Sequence, residues 1–456
     1  MQTEPNLDDL FRARDFASLR ETLSRLTPPE LAMMIADAPS HERVILFRIL
    51  PRRLAASIFE YLPFDKQREL ITGMAKTETA DILNEMSPDD RTMLLEELPA
   101  EVTKELLATL PAEERAVAAS LLGYPENSIG RLMTPNYIAV KPEWTVRYVL
   151  DYIREHGEDS ETLSTIYVID DDGVLIDDLR IRVFLLASLY KSVSELMDHR
   201  FVSLKATEDQ EHAVGVFRQY DRNALPVTDT TGVLIGIVTV DDVLDVAELE
   251  ATEDIQKIGG MEALEEPYMK IAFTRMVRKR AGWLVILFLG EMLTATAMGY
   301  FEEEIKRAVV LALFVPLIIS SGGNSGSQAA TLVIRALALG EVSLRDWWRV
   351  VRREILSGLA LGSILGTIGF LRIVIWATFT SLYGPHWLLV ALTVGVALVG
   401  IVLWGTLTGS MLPLLLRRLG FDPAASSAPF VATLVDVTGL LIYFSVAAVI
   451  LRGTLL

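Results

Sequence analysis

Pro429-Phe430-Val431-Ala432-Thr433-Leu434-Val435-Asp436-Val437-Thr438-Gly439-Leu440 carries one carboxylate in an otherwise neutral, apolar run. A charge at mid-membrane costs about 2.5–3.5 kcal/mol on insertion scales, so such a residue faces a cavity, a partner charge or an ion path. Helical spacing puts Ala432 and Asp436 on one line with Thr433 beside it. Small Ala432 leaves room and an approachable carbonyl one turn from the carboxylate. The structural alternative is a protonated Asp436 hydrogen-bonded between helices.

Outward from this run, five stretches are long and apolar enough to span a bilayer: about 281–300, 308–339, 355–383, 387–416 and 429–451. Glu291 in the first is a rival carboxylate, and Arg372 in the third is either its partner or a residue that snorkels outward. The second stretch is too long for a plain span, and Pro316, Gly322, Gly323, Asn324, Ser325 and Gly326 predict an interruption against protein or a water-filled cavity. A kink that only packs on a neighbour is the alternative. Gln328 and Thr331, on the next turn, could satisfy freed backbone groups. Arg275 to Arg280, then Arg345, Arg349, Arg352 and Arg353, then Arg417 and Arg418 cluster at alternate ends. The positive-inside rule therefore predicts a cytosolic N-terminus and an external C-terminus, with Lys306 and Arg307 against the trend.

The 456 residues are 51% hydrophobic and 22% charged, with no cysteine and a net charge of −18. From Arg275 onward there are 9 acidic and 15 basic residues, a net +6; the earlier residues hold 51 and 27, a net −24. The acidic part belongs in the cytosol, and Met1 to Asp9, polar and acidic, predict no cleavable signal peptide. Absent cysteines exclude disulfides and thiolate metal sites, and five scattered His offer no H-E-x-x-H arrangement. A pI near 4.8 argues against a nucleic-acid binder. No nucleophile–base or metal–base constellation suggests an enzyme.

Leu26, Ala38, Leu50, Leu62, Met74, Met86, Leu98 and Leu110 recur every twelve residues, followed by Thr27, Pro39, Pro51, Pro63, Ala75, Ser87, Pro99 and Pro111. Proline in the first helical turn and Ser or Thr at the cap predict helices of about two turns that stack into a superhelix of either hand. An ordinary helical bundle is the alternative. From about 129 two mixed strand–helix segments begin 64 residues apart, at Leu132-Met133-Thr134-Pro135 and Leu196-Met197-Asp198-His199. Their predicted strands are Tyr137–Val140, Thr165–Ile169, Phe201–Leu204 and Ala224–Val227, and their helices Val146–Arg154 and Ala213–Tyr220. The pair resembles tandem CBS modules. In such modules a strand-end Thr and an Asp three residues later hold an adenosine ribose, which the resemblance assigns to Thr239 and Asp242; a plain helix cap is the alternative. The first copy has Asp177-Asp178-Leu179-Arg180 at the matching place and lacks the Gly and the terminal Asp. Residues 243 to about 272 read as an acidic helical connector.

This order, together with Pro316-Leu317-Ile318-Ile319-Ser320-Ser321-Gly322-Gly323-Asn324-Ser325-Gly326-Ser327-Gln328 and Ala432 to Leu440, resembles the MgtE family of magnesium channels. The fold class expected is a multidomain membrane protein: an α-helical superhelix of short repeats (1–128), an α/β tandem CBS pair (129–247), a connecting plug helix (248–274) and a five-helix transmembrane domain (275–456). The resemblance implies a Mg²⁺-selective channel for uptake, in the inner or plasma membrane. It implies a homodimer with Asp436 of each subunit holding a hydrated Mg²⁺, and Gly323, Asn324 and Ala432 beside that path. It also implies closure when cytosolic Mg²⁺ bridges acidic regions, matched here by Asp90, Asp209, Glu211, Asp221, Asp242, Asp245, Glu250, Glu253 and Asp254. ATP or another adenine nucleotide is the ligand implied for the CBS pair. Independently of the name, Mg²⁺ sheds water reluctantly, so carboxylates and carbonyls that hydrogen-bond its water shell suit it. A Na⁺- or H⁺-coupled divalent-cation transporter is the rival reading, because a broken helix and a midplane Asp also suit exchange. A membrane-bound nucleotide receptor is a third, and it leaves Asp436 unexplained.

Overall fold

A computed structural model describes residues 19, 23, 26–264, 268–269 and 271–455, apart from the side chains of Ser40 and His41. The acidic start Met1 to Asp9 lies outside the described residues. The chain divides into two compact units, Met1–Ala247 and Glu248–Leu456.

In the first unit α1 (Pro28–Asp37), α2 (Ser40–Ile49), α3 (Arg52–Glu60), α4 (Phe64–Gly73), α5 (Lys76–Glu85), α6 (Pro88–Glu96), α7 (Ala100–Thr109) and α8 (Ala112–Leu121) follow the twelve-residue spacing. Each has 9 or 10 residues, nearer three turns than the two expected. Pro39, Pro51, Pro63, Pro99 and Pro111 stand at the N-cap rather than inside the first turn. The cause is local: proline drives the preceding residue into extended backbone, which ends one helix, while its own carbonyl accepts the first bonds of the next. Arg43 N, for example, donates to Pro39 O at 2.9 Å and Ala55 N to Pro51 O at 2.8 Å. The repeated Leu50, Leu62, Met86, Leu98 and Leu110 are buried in one core, each burial worth about 1.5–3 kcal/mol. A polar tie recurs at multiples of that spacing. Arg43 Nε, Gln67 Nε2, Arg91 Nη1 and Thr103 Oγ1 donate to the carbonyls of Ile35, Phe59, Leu83 and Leu95, each eight residues back, at 2.8–3.1 Å. These ties add a side-chain donor to carbonyls near the helix ends, where backbone donors run short.

Two three-stranded sheets follow, with the same topology. β1 (Ala139–Val140) pairs parallel with β2 (Thr165–Ile169), which pairs antiparallel with β3 (Leu175–Arg180). β4 (Leu204–Lys205), β5 (Ala224–Thr228) and β6 (Leu234–Thr239) repeat this, with α9 (Val146–His156) and α10 (Gln210–Tyr220) as crossovers. β1 and β4 are shorter than the strands predicted. Gly236 and Asp177 occupy equivalent register positions and answer the same need differently. A Cβ at Gly236 would lie 2.8 Å from Met133 Sδ, so the Met133-Thr134 segment requires glycine there. Asp177, fully buried, accepts from the backbone N of Asp178, Asp198 and His199 at 2.9–3.0 Å. α11 (Val240–Ile258) leaves β6 directly and stops at Ile258, short of the connector expected to 272, because Gly259 and Gly260 (φ +74°) end it. Residues 265–267 and 270 lie outside the described residues.

The second unit holds five helices long and apolar enough to cross a membrane: α12 (Phe273–Tyr300), α13 (Val315–Ala338, after a 3₁₀ segment from Val309), α14 (Trp347–Phe379), α15 (Trp387–Arg418) and α16 (Ala428–Ile450). The third begins well before residue 355. The interruption predicted at Gly322–Gly326 is absent: α13 runs unbroken through it, and the irregular backbone is the 3₁₀ segment ahead of Pro316. The glycines serve close approach instead. A Cβ on Gly409 would fall 2.0 Å from Gly326 O, one on Gly405 2.5 Å from Gly322 O, and one on Gly322 2.7 Å from Val435 Cγ1. Helices without side chains along a seam gain van der Waals contact that lipid cannot supply. Gly358, Gly362 and Gly366 set α14 against α15 in the same way. Thr331 Oγ1 bonds Ser327 O within the helix, at 2.9 Å.

Gly409→Ala should cost about 1–3 kcal/mol by overpacking this seam and lower the Tm of the detergent-purified protein. Gly299→Ala, with open space at its Cβ, should leave it unchanged.

Candidate functional site

Ser427 caps α16: its Oγ accepts from Phe430 N at 3.3 Å and from Trp283 Nε1 at 3.0 Å, and Ser327 Oγ donates to Ala428 O at 3.0 Å. These bonds hold the start of the helix that carries Asp436. α13 passes so close that a Cβ on Gly323 would be 3.3 Å from Ala432 Cβ and 3.5 Å from Asp436 Oδ1. Gly323, Ala432 and Asp436 are therefore one constellation, with Asp436 partly exposed. Asn324, the next residue, is exposed and donates from Nδ2 to Ser320 Oγ at 3.3 Å. Thr433 turns aside, its hydroxyl on Pro429 O at 3.0 Å and its methyl against Gly290. Glu291 of α12, the rival carboxylate, comes within hydrogen-bonding reach of Asp436. Arg372 is not its partner: its guanidinium lies over the Trp376 ring, 6.0 Å from the centroid.

In the first unit the fold gathers six carboxylates, from Glu60, Asp89, Asp90, Glu161, Asp241 and Asp242, with Asp245 one turn further along α11. Glu60 accepts from Ser87 N at 3.0 Å, and Ser87 Oγ donates to Asp90 Oδ2 at 2.8 Å. Burial, then the neighbouring Asp89, pushes Asp242 up to about 9 against the opposing Thr239 hydroxyl. Burial and Asp89 raise Asp90 to about 6; burial and nearby carboxylates raise Glu60 and Glu161 to about 7. Asp89 is raised mainly by burial, and its Oδ1 is buried without a hydrogen-bond partner. Asp90, Asp242 and Asp245 were expected here. Glu60, Asp89, Glu161 and Asp241 were not, although the doublets Asp89-Asp90 and Asp241-Asp242, each in a first helical turn, were a usable signal.

Asp209, Glu211 and Asp221 stand at the ends of α10: Asp209 caps it by accepting from Glu211 N at 2.9 Å, and Asp221 closes it in left-handed backbone, φ +51°. In the second unit Lys257 bridges Glu253 and Asp422, the latter at 2.6 Å. Burial, then Asp422, raises Asp254 to about 6, with Glu250 and Glu253 contributing. Thr239 Oγ1 donates to Asp242 Oδ2 at 2.6 Å, the geometry of a helix cap. Between the two three-stranded sheets the Tyr167 hydroxyl is buried without a partner, close to the Asp178–Arg222 ion pair at 3.1 Å.

Raised acids bind more protons folded than unfolded, so their stability is fully present below the ordinary carboxylate range and is lost as pH rises through the raised values, about 6 to 9. In chelator, the stability of the full-length protein should therefore fall with rising pH across that window. Asp242→Asn should flatten the fall, read from thermal unfolding at stepped pH.

A family profile described as a divalent cation transporter, MgtE, matches residues 315–446; the MgtE intracellular N domain matches 26–127, and CBS domains match 129–178 and 193–248. The "Magnesium transporter MgtE" of Thermus thermophilus is 40% identical over 451 residues, 98% of each chain. The protein of that name from Bacillus subtilis is 30% identical over 444 residues, 97% of this chain and 95% of the relative. Among solved structures, the cytosolic domain of the Mg²⁺ channel MgtE in complex with ATP superposes with a TM-score of 0.50 at 34% identity, over 53% of this chain and 98% of that one.

Proposed function

The chain belongs to the MgtE family of magnesium transporters, a family of membrane proteins rather than enzymes, and from that premise we propose a Mg²⁺-selective uptake channel closed by cytosolic Mg²⁺. The observation that carries the reading is the approach of Gly323 to Ala432 and Asp436 between α13 and α16. In a homodimer two such carboxylates face one path. Each accepts hydrogen bonds from the water shell of Mg²⁺, and the Ala432 carbonyl has a second lone pair to offer beside its helical bond. Holding the ion through its waters compensates charge without the tight chelation that slows exit. The coupled-exchange reading leaned on a broken second span, and the continuous α13 removes that support. Positive loops orient the N-terminus to the cytosol and the C-terminus outward.

For closure, the six-carboxylate cluster offers hard oxygen acceptors to a divalent cation: Asp89 Oδ1 is a buried acceptor with no donor, and burial raises the affinity of Asp89 and Asp242 for protons. A bound Mg²⁺ would replace those protons and hold the repeat helices to the CBS pair, whose junctions we place near residues 128, 247 and 274. Glu250, Glu253 and Asp254 form a second group on α11, and Asp209, Glu211 and Asp221 a third, weaker one at the ends of α10. The link to the path lies in the second unit. Lys257 holds Asp422, and a Cβ on Gly260 would press Trp283 at 2.9 Å and Pro429 at 3.2 Å, so the end of α11 is clasped to the start of the Asp436 helix. ATP or a related nucleotide suits the CBS pair, with Thr239 and Asp242 as ribose ligands and the unpaired Tyr167 hydroxyl nearby.

Asp436→Ala should abolish Mg²⁺ flux into proteoliposomes, and wild-type flux should follow the Mg²⁺ gradient with Na⁺ and proton gradients collapsed. Retained flux in the variant, or dependence on either gradient, overturns the channel reading. Replacing Asp242, Asp245 and Glu250 by their amides should leave the channel conducting at millimolar internal Mg²⁺; normal closure in patch recordings counts against the sensor.

A further inference from the structure

Glu291 is the only acidic residue of α12, as Asp436 is of α16. The two helices meet at Gly290, where an added Cβ would lie 2.7 Å from Thr433 Cγ2. The residue after Gly290 is Glu291, and its carboxyl reaches Asp436, which lies about one helical turn past Thr433 on α16. On the other side Gly323 presents no side chain to the pair. Two carboxylates from different helices thus converge at one point of the membrane unit, and Glu291 remains exposed there rather than sealed by packing.

Two carboxylates converging from different helices concentrate negative charge at one point, which a hydrated divalent cation can meet. We propose that Glu291 is a second ion-holding carboxylate of the Mg²⁺ path, acting with Asp436 of the same subunit on the hydrated ion. This rests on the reading of Asp436 as a path residue. Each subunit then offers four carboxylate oxygens to the water shell instead of two. The added charge attracts a divalent ion twice as strongly as a monovalent one at the same distance, so Glu291 contributes to the preference for Mg²⁺ over Na⁺ as well as to occupancy.

The competing role is local: a neutral Glu291 that only donates a hydrogen bond to Asp436. Gln can donate the same bond but carries no charge, so Glu291→Gln separates the two, and its near-identical shape preserves the helix contacts. In proteoliposomes holding the full chain, Glu291→Gln and Glu291→Ala should both raise the half-saturating Mg²⁺ concentration about tenfold and lower the Mg²⁺/Na⁺ flux ratio. Glu291→Asp should stay near wild type in both. A Gln variant with wild-type saturation and selectivity overturns the proposal in favour of the donor role. Asp436→Asn is measured alongside: if it leaves flux intact, the path assignment fails and this inference with it, whereas a dead Asp436→Asn with a normal Glu291→Gln sinks this inference alone.

Discussion

Carboxylates crowded together repel one another and attract cations, and that constraint acts in both halves of this chain. In the first unit it acts on Glu60, Asp89, Asp90, Glu161, Asp241 and Asp242, where burial and mutual repulsion raise the acids well above their ordinary range. In the second it acts on Asp436 and Glu291, two acids on adjoining helices that are otherwise free of them. Neither group is an economical way to build a stable fold. Apolar residues of similar volume would pack without the desolvation cost, so the acids are better understood by what they hold.

The membrane unit can keep Asp436 next to α13 because glycine lines the seam. Gly322 and Gly326 on α13 meet Gly405 and Gly409 on α15, and Val431 and Val435 of α16 fill the remaining space. These contacts fix the spacing of α16 from α13 beside Asp436. That end is where Ser427 is held by Trp283, and where Gly260 and Lys257 bring the connector. A rigid seam and a tethered helix start are what the proposed gating requires.

The sequence showed the periodic parts well. A twelve-residue period with proline punctuation is a local property, and it survives folding with only a one-position change in where proline sits. The Gly322–Gly326 stretch misled for a tertiary reason. Glycine weakens a helix in isolation, but close backbone contact with α15 and α16 returns that loss, and no local pattern records it. The acidic cluster was half legible. Asp90, Asp242 and Asp245 came from a resemblance, whereas Glu60 and Glu161 lie about 100 positions apart and meet only because the repeat stack and the CBS sheets pack together. Glu291 was visible as an anomaly in an apolar span, and its partner became visible only once Gly290 was seated on Thr433.

The two acid groups use one constraint to opposite ends. The cluster of the first unit is closed on itself: Asp89 is buried, and in the proposed reading a cation held there would trade mobility for cohesion between elements. The membrane pair is open: Asp436 is partly exposed, Glu291 more so, and the glycine face opposite offers no ligand that would strip the ion of its waters. In the proposed path such a pair would attract divalent charge while leaving its hydration in place. In the proposed reading, sensing and passage of one hard cation are separated by burial rather than by a change of ligand chemistry.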